Sequence, residues 1–141
     1  MKPLKRSIAL VIERPEGMLL VRRPEGDESL AGMWGLPAVT LEPAEAEDAA
    51  VRRAGRSKLG VEVRPLRPIG AADAERPGYR IHMRGWSAEI ESGDPEVPQR
   101  GAGTQYVALR WGDPAELAPA ARAGSLCCRV VLASRHLVWT E

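Results

Sequence analysis

The stretch Val39–Val61 reads VTLEPAEAEDAAVRRAGRSKLGV and has the signals of a helix from about Pro43 to Leu59. Pro43 suits the first turn. Glu45, Glu47 and Asp48 cluster at the start and Arg52, Arg53, Arg56 and Lys58 at the end. That polarity complements the helix dipole. Gly60 is a natural stop, and Gly55 inside the helix costs about 1 kcal/mol relative to alanine. Residues three and four apart share a helix face, so Ala54, Ser57 and Lys58 form one patch. The patch offers a methyl, a hydroxyl and an ammonium. Glutamates there would concentrate the oxygen ligands that magnesium or manganese needs. Farther back on the same face come Val51, Ala50 and Glu47. Glu47 is the lone carboxylate, roughly 10 Å from Ala54 along the axis. One distant acid beside a lysine makes a poor divalent-metal site.

Before this helix, Ser7–Glu13 (SIALVIE), a turn at Arg14–Gly17 and Met18–Arg23 (MLLVRR) predict a hairpin. Pro24–Gly32 is a polar loop and Met33–Leu41 is extended. Beyond it, Val61–Ala72 and Tyr79–Glu91 read as strands joined by a loop at Asp73–Gly78. Glu91–Gly103 is rich in Gly, Pro and acids and reads as a mobile loop, and Thr104–Trp111 as a strand. Asp113, Pro114 and Glu116 form an N-cap, a first-turn proline and a capping box. They open a short helix to about Ala123. A last helix runs from Ser125 to about Val138. The chain has no internal repeat and no linker. This order predicts one layer of sheet with helices packed on it.

The central stretch resembles the Nudix box: G, five residues, E, seven residues, then R-E-U-x-E-E-x-G-U, with U bulky and apolar. Glu45, Arg53, Gly60 and Val61 match it. Ala54, Ser57 and Lys58 fall where that family has three glutamates. Val39 replaces the opening glycine, and Gly55 a bulky apolar residue. The hairpin and Leu30–Pro37 (LAGMWGLP) resemble the family's lead-in to the box. The same lead-in is similar to the Nudix-like C-terminal domain of adenine-specific DNA glycosylases, which carries a degenerate box. The resemblance implies an α/β Nudix fold, an α/β/α sandwich with a mixed β-sheet, as a single domain over residues 1–141.

The length of 141 residues fits one domain, large enough for a substantial core. A net charge of +1 argues against general attraction to nucleic acid or membrane. The two cysteines, Cys127 and Cys128, are adjacent and read as reduced, buried thiols of a helix, with a vicinal disulfide or thiol sensor as the alternative. They offer no zinc site. The start of the chain lacks a cleavage-type tail, and no apolar run approaches the ~18 residues of a membrane span. A cytoplasmic protein is expected.

Glu45 and Arg53 sit where the family forms a buttressing ion pair, so with Gly60 they are read as the structural part of the box. Lys58 has two readings, a solvated basic helix end or a direct phosphate contact replacing a metal bridge. Arg22 and Arg23, closing the second strand, are further phosphate candidates. Trp34 and Tyr79 are candidates to stack on a base, whereas Trp86 and Trp111 are read as core. His82, between Arg80 and Arg84, could face an anion. Glu91 and Glu96 lie in or beside the loop from which such enzymes draw an extra acid. No cofactor and no metal are expected.

The leading expectation is a binder of a nucleotide or nucleoside-diphosphate derivative that does not hydrolyse it, with a sensing or partner-binding role. The first alternative is a hydrolase that rebuilds a magnesium or manganese site from Glu42, Glu45, Glu47 and loop acids. The second is a protein–protein interaction module. Dimers are common among proteins of this kind, so a homodimer is the assembly the resemblance implies.

Overall fold

A computed structural model describes residues 2–26, 30–98 and 106–139. β1 (Leu4–Arg14) and β2 (Gly17–Arg22) form the expected hairpin, with Glu13 opposite Met18. After it come β3 (Trp34–Gly35), β4 (Ala38–Thr40), helix α1 (Glu47–Ala54), β5 (Glu62–Arg76), β6 (Tyr79–Ser92) and β7 (Ala108–Gly112). A 3₁₀ turn (Pro114–Leu117) leads into α2 (Ala118–Arg122), and α3 (Leu126–Ser134) closes the order. The strands make one seven-stranded mixed sheet with the path β3-β2-β1-β6-β5. β1 and β6 run parallel at its centre, and the other pairs are antiparallel.

Alternation along β1 builds both layers. Ile8, Leu10 and Ile12 face α1, where they pack with Ala50, Val51, Ala54 and Leu59. Ala9 and Val11 face the other way, against Leu117, Ala121, Cys128 and Val131 of the C-terminal helices. Successive strand residues point to opposite faces, so a continuous apolar run is what a strand covered on both sides requires. The result is the expected α/β/α sandwich.

Several boundaries differ from the sequence reading. α1 begins at Glu47, not Pro43, because Ala44 adopts a left-handed conformation with φ 63°. The same helical run ends in a π-turn, Gly55–Leu59, capped by Gly60 at φ 66°. Asp73–Arg76, read as loop, is strand: Asp73 pairs with His82 and Glu75 with Arg80, and the turn tightens to Pro77–Gly78. The last helix stops at Ser134, where His136 turns to φ 55°. The capping box at Asp113 and Glu116 forms as predicted, although it starts a 3₁₀ turn. Residues 99–103 of the predicted loop and the first residues of the strand predicted from Thr104 lie outside the described residues.

One departure from regularity positions the site. Near the hairpin turn β1 pairs with β2, but at Ser7–Ala9 it pairs with β4 instead. The sheet splits there, and the gap opens between the end of β2 and the start of β4. Tyr106 reaches into it: its hydroxyl accepts from Ala38 N (3.2 Å) and donates to Leu36 O (3.4 Å).

Candidate functional site

The box helix brings its residues to this gap from one face and the start of α3 from the other. Lys58, in the π-turn, is only 6% exposed, so it is not the solvated helix end that the sequence allowed. Its Nζ lies 5.7 Å from the Tyr106 ring centroid. Burial holds the Lys58 ammonium below the usual lysine range, and the positive charges of Arg23 and Arg53 push it the same way. Burial drives the Tyr106 phenol up to about 12, so it stays a neutral hydrogen-bonding group. Arg23, whose backbone N–H donates to Met33 O (2.9 Å), lines a cleft with Trp34, Leu36, Ser125 and Cys127. The cleft encloses about 10 Å³, which is room for one water-sized molecule. It is too small to hold a nucleobase as it stands.

Glu45 and Arg53 make a two-pronged pair, Nε to Oε2 and Nη2 to Oε1, both 2.9 Å. Arg53 also donates to Thr40 O (2.8 Å), and Glu42 N donates to Glu45 (3.0 Å). The pair therefore ties the lead-in loop to the helix. The Arg53 hydrogen bonds hold the Glu45 carboxyl below its ordinary value. Arg53→Ala is expected to cost about 2 kcal/mol, since it strips a part-buried carboxylate of its charged partner. The lowered pKa places that contribution above pH 4.5, the unfolded value. It is lost as pH falls through the folded pKa. Urea denaturation at pH 7 and pH 3 reads both effects: the variant should differ from wild type at pH 7 and much less at pH 3.

Glu47 points away from the patch. Trp86 Nε1 donates to it (2.8 Å), Arg6 Nη2 donates to it (2.9 Å), and Arg84 Nε lies 2.9 Å away, at ion-pair distance but off the hydrogen-bonding angle. Burial raises the Glu47 carboxyl, but these partners outweigh it and hold the pKa down. Glu47 thus pins the helix start to β1 and β6.

The structure separates the other sequence candidates. Arg22 holds the polar loop through Gly32 O (3.2 Å) and Glu25 (2.7 Å). The Trp34 ring is covered by the Arg110 guanidinium at 4.4 Å. Tyr79 stands under Lys5 Nζ (4.2 Å) at the outer end of β6. It is six residues, about 20 Å of strand, from Gly85, which pairs with Ala9 beside the split. His82 bonds Asp73 through Nδ1 (2.7 Å) on the α1 side of the sheet. Glu91 pairs with Arg52 (3.5 Å). Glu96 comes closest to the box, its backbone N–H donating to Leu59 O (3.0 Å). Ser125 and Cys127 line the cleft, and Tyr106 sits in the sheet split, without having been read as site residues. Their sequence neighbourhood has no motif, and only the sheet split brings them in.

A divalent cation does not fit this donor set. Ala54, Ser57 and Lys58 offer no carboxylate, Glu45 is taken by Arg53 and Glu47 by Arg6, Arg84 and Trp86. Among the described residues no three His, Cys, Asp or Glu side chains converge.

The NUDIX domain profile matches residues 3–126. The chain belongs to the Nudix family. It is 30% identical over 118 residues to the CTP pyrophosphohydrolase of Escherichia coli (strain K12), covering 80% of this chain and 82% of that protein. The solution structure of the E. coli ORF135 protein superposes with a TM-score of 0.73 at 25% identity, over 95% of this chain and 92% of that one. A NUDIX hydrolase from Nitrosomonas europaea gives a TM-score of 0.73 at 25% identity, over 96% and 89%. This Nudix domain thus keeps the family's fold. No helix among the described residues is long and apolar enough to cross a membrane.

Proposed function

We propose that this Nudix protein binds a nucleotide through fixed positive charge and does not hydrolyse it. The observation that carries this reading is Lys58. A buried ammonium occupies a position where the family's box has a glutamate, in the combined field of Arg23 and Arg53. Burial and like charge both disfavour it, and a phosphate brought against it reverses that balance. Arg23 is the second phosphate contact, and Trp34, once swung clear of Arg110, offers the stacking face. The likeness to a CTP pyrophosphohydrolase makes cytidine nucleotides the first ligands to try. The same likeness favours a second reading, a divergent metal-dependent hydrolase.

Titration calorimetry with CTP, CDP and other nucleotides, with and without EDTA, tests the proposal. Binding should survive EDTA, and Lys58→Met should weaken it about 10- to 100-fold, the worth of a charge-assisted hydrogen bond. Affinity should fall as pH rises through the lowered Lys58 pKa, at a pH below that at which an ordinary lysine titrates. Absence of binding across the panel would sink the proposal. So would magnesium- or manganese-dependent release of phosphate or pyrophosphate above a Glu45→Gln, Glu47→Gln control.

A further inference from the structure

We infer that the groove between β5 and α3 is a second ligand site, one that takes a medium-chain carboxylate with its head on Arg67 and its tail reaching Trp139. The groove lies on the face of the sheet opposite the box helix, so it does not depend on the nucleotide reading.

The groove follows from how the C-terminal layer meets the sheet edge. β5 is the last strand of the sheet path, and no strand among the described residues covers its outer side. α3 comes down close to the sheet at two glycines. A Cβ at Gly70 would lie 3.3 Å from Val130 Cγ1, and one at Gly85 would lie 3.4 Å from the same methyl. Gly70 and Ala72 then leave a low floor beside the helix. The chain after α3 closes the far end. His136 at φ 55° turns it back, and Leu137 N donates to Leu132 O (2.9 Å). Trp139 is held there by two arginines: the Arg129 guanidinium faces its ring at 4.4 Å, and Arg122 Nη1 donates to its carbonyl (3.3 Å).

Two stretches of the groove join at Ile69 and Ser134. One, of about 420 Å³, is apolar, with Leu126, Val130, Ala133 and Trp139 along it. The other, of about 470 Å³, is polar and holds Glu13, Arg67, Ser87 and Arg135. Each falls in the size range of small-molecule sites, roughly 300–1,000 Å³.

Charge chooses the head group. Arg135 is paired with Glu13. Arg67, opposite Ser87 on the sheet, is exposed and has no hydrogen bond or ion pair among the described residues. The polar end therefore keeps one uncompensated positive charge, which a carboxylate matches and a phosphate dianion exceeds. The last carbonyls of α3 are already occupied: Val131 O accepts from Ser134 Oγ (2.6 Å), Leu132 O from Arg135 N (3.1 Å) and Ala133 O from His136 N (3.1 Å). Length chooses the tail. From Leu126 to Ala133 the helix rises about 10 Å, the reach of a chain of about eight carbons. Such a chain takes the apolar surface of Leu126, Val130 and Trp139 out of water.

Octanoate, butanoate and octylammonium, titrated into the nitrogen-15-labelled full chain and followed by amide and indole N–H shifts, test the inference. Octanoate should shift the amides of residues 69–72 and 126–134 and the Trp139 indole, and leave those of residues 55–60 in place. Butanoate should bind at least about tenfold more weakly, because its shorter tail buries less apolar surface. Octylammonium, with the same tail and the opposite charge, should also bind at least about tenfold more weakly. Arg67→Gln should weaken octanoate about tenfold, the worth of one charge-assisted hydrogen bond, and should keep the fold because Arg67 holds nothing in place. No saturable shift with octanoate, equal binding of octylammonium, or shifts confined to the box helix would overturn the inference. So would an Arg67→Gln chain that binds octanoate as the wild type does.

Discussion

Glu47→Ala is expected to destabilise the fold by about 3 kcal/mol, because it leaves a part-buried Arg84 without its counter-ion and the Trp86 N–H without its acceptor. Glu47 is 15% exposed at its side chain and has Arg6, Arg84 and Trp86 around it. An isolated surface ion pair is worth less than 1 kcal/mol, so the size of the loss separates a helix anchor from a solvated acid. Glu47→Gln should lose less, since its amide oxygen still accepts from Trp86. The pH dependence carries a sign. The folded carboxyl titrates below the unfolded value of 4.5, so its contribution is complete above pH 4.5. It is lost as the pH falls through the folded pKa. The gap between wild type and Glu47→Ala in a urea melt should narrow below pH 4.5. If Glu47 were a metal ligand instead, the variant would keep its stability and lose manganese-dependent turnover.

Gly55→Leu, which restores the bulky apolar residue of the family's box, is expected to cost at least about 3 kcal/mol or to prevent folding. A Cβ at Gly55 would sit 2.8 and 2.9 Å from the two Val63 methyls and 3.2 Å from Val61 O. Valine is too short and too stiff at χ1 to swing away. Gly55→Ala should also destabilise, by less, although alanine gains about 1 kcal/mol of helix propensity. The sign of the Gly55→Ala effect is the test, since propensity alone predicts stabilisation. Gly55→Ala combined with Val63→Ala should recover part of the loss, because the second change removes the methyls the first one strikes. A stabilised Gly55→Ala would mean that β5 yields at this point.

The glycine marks where sequence reasoning reached its limit. Composition and propensity make Gly55 a weak point in a helix. The structure makes it a point of close approach, because β5 returns across the π-turn and leaves no volume for a side chain. Lys58 shows the same limit from the other direction. Its place at a basic helix end fits a solvated charge, but the turn carries it under Tyr106, which is close in space only because the sheet splits at Ser7–Ala9. Tyr79 and His82 were eligible as an aromatic and a titratable group on a strand. Register then set them along β6, away from the gap.

What the sequence determined by itself was local or periodic. The apolar run of β1, the capping box at Asp113, the acid-to-base gradient of the box helix and the pairing of Glu45 with Arg53 all rest on neighbours within a few turns. Residue identity alone also shows that positions 54, 57 and 58 carry no carboxylate. Tertiary structure decided which face each residue meets. It turned Glu47 from a spare carboxylate into an anchor, buried Lys58, and placed Cys127 at the cleft wall beside Arg23. Those outcomes depend on contacts between segments far apart in the chain, and such contacts are fixed by the packing of two layers across a sheet rather than by any spacing within one segment.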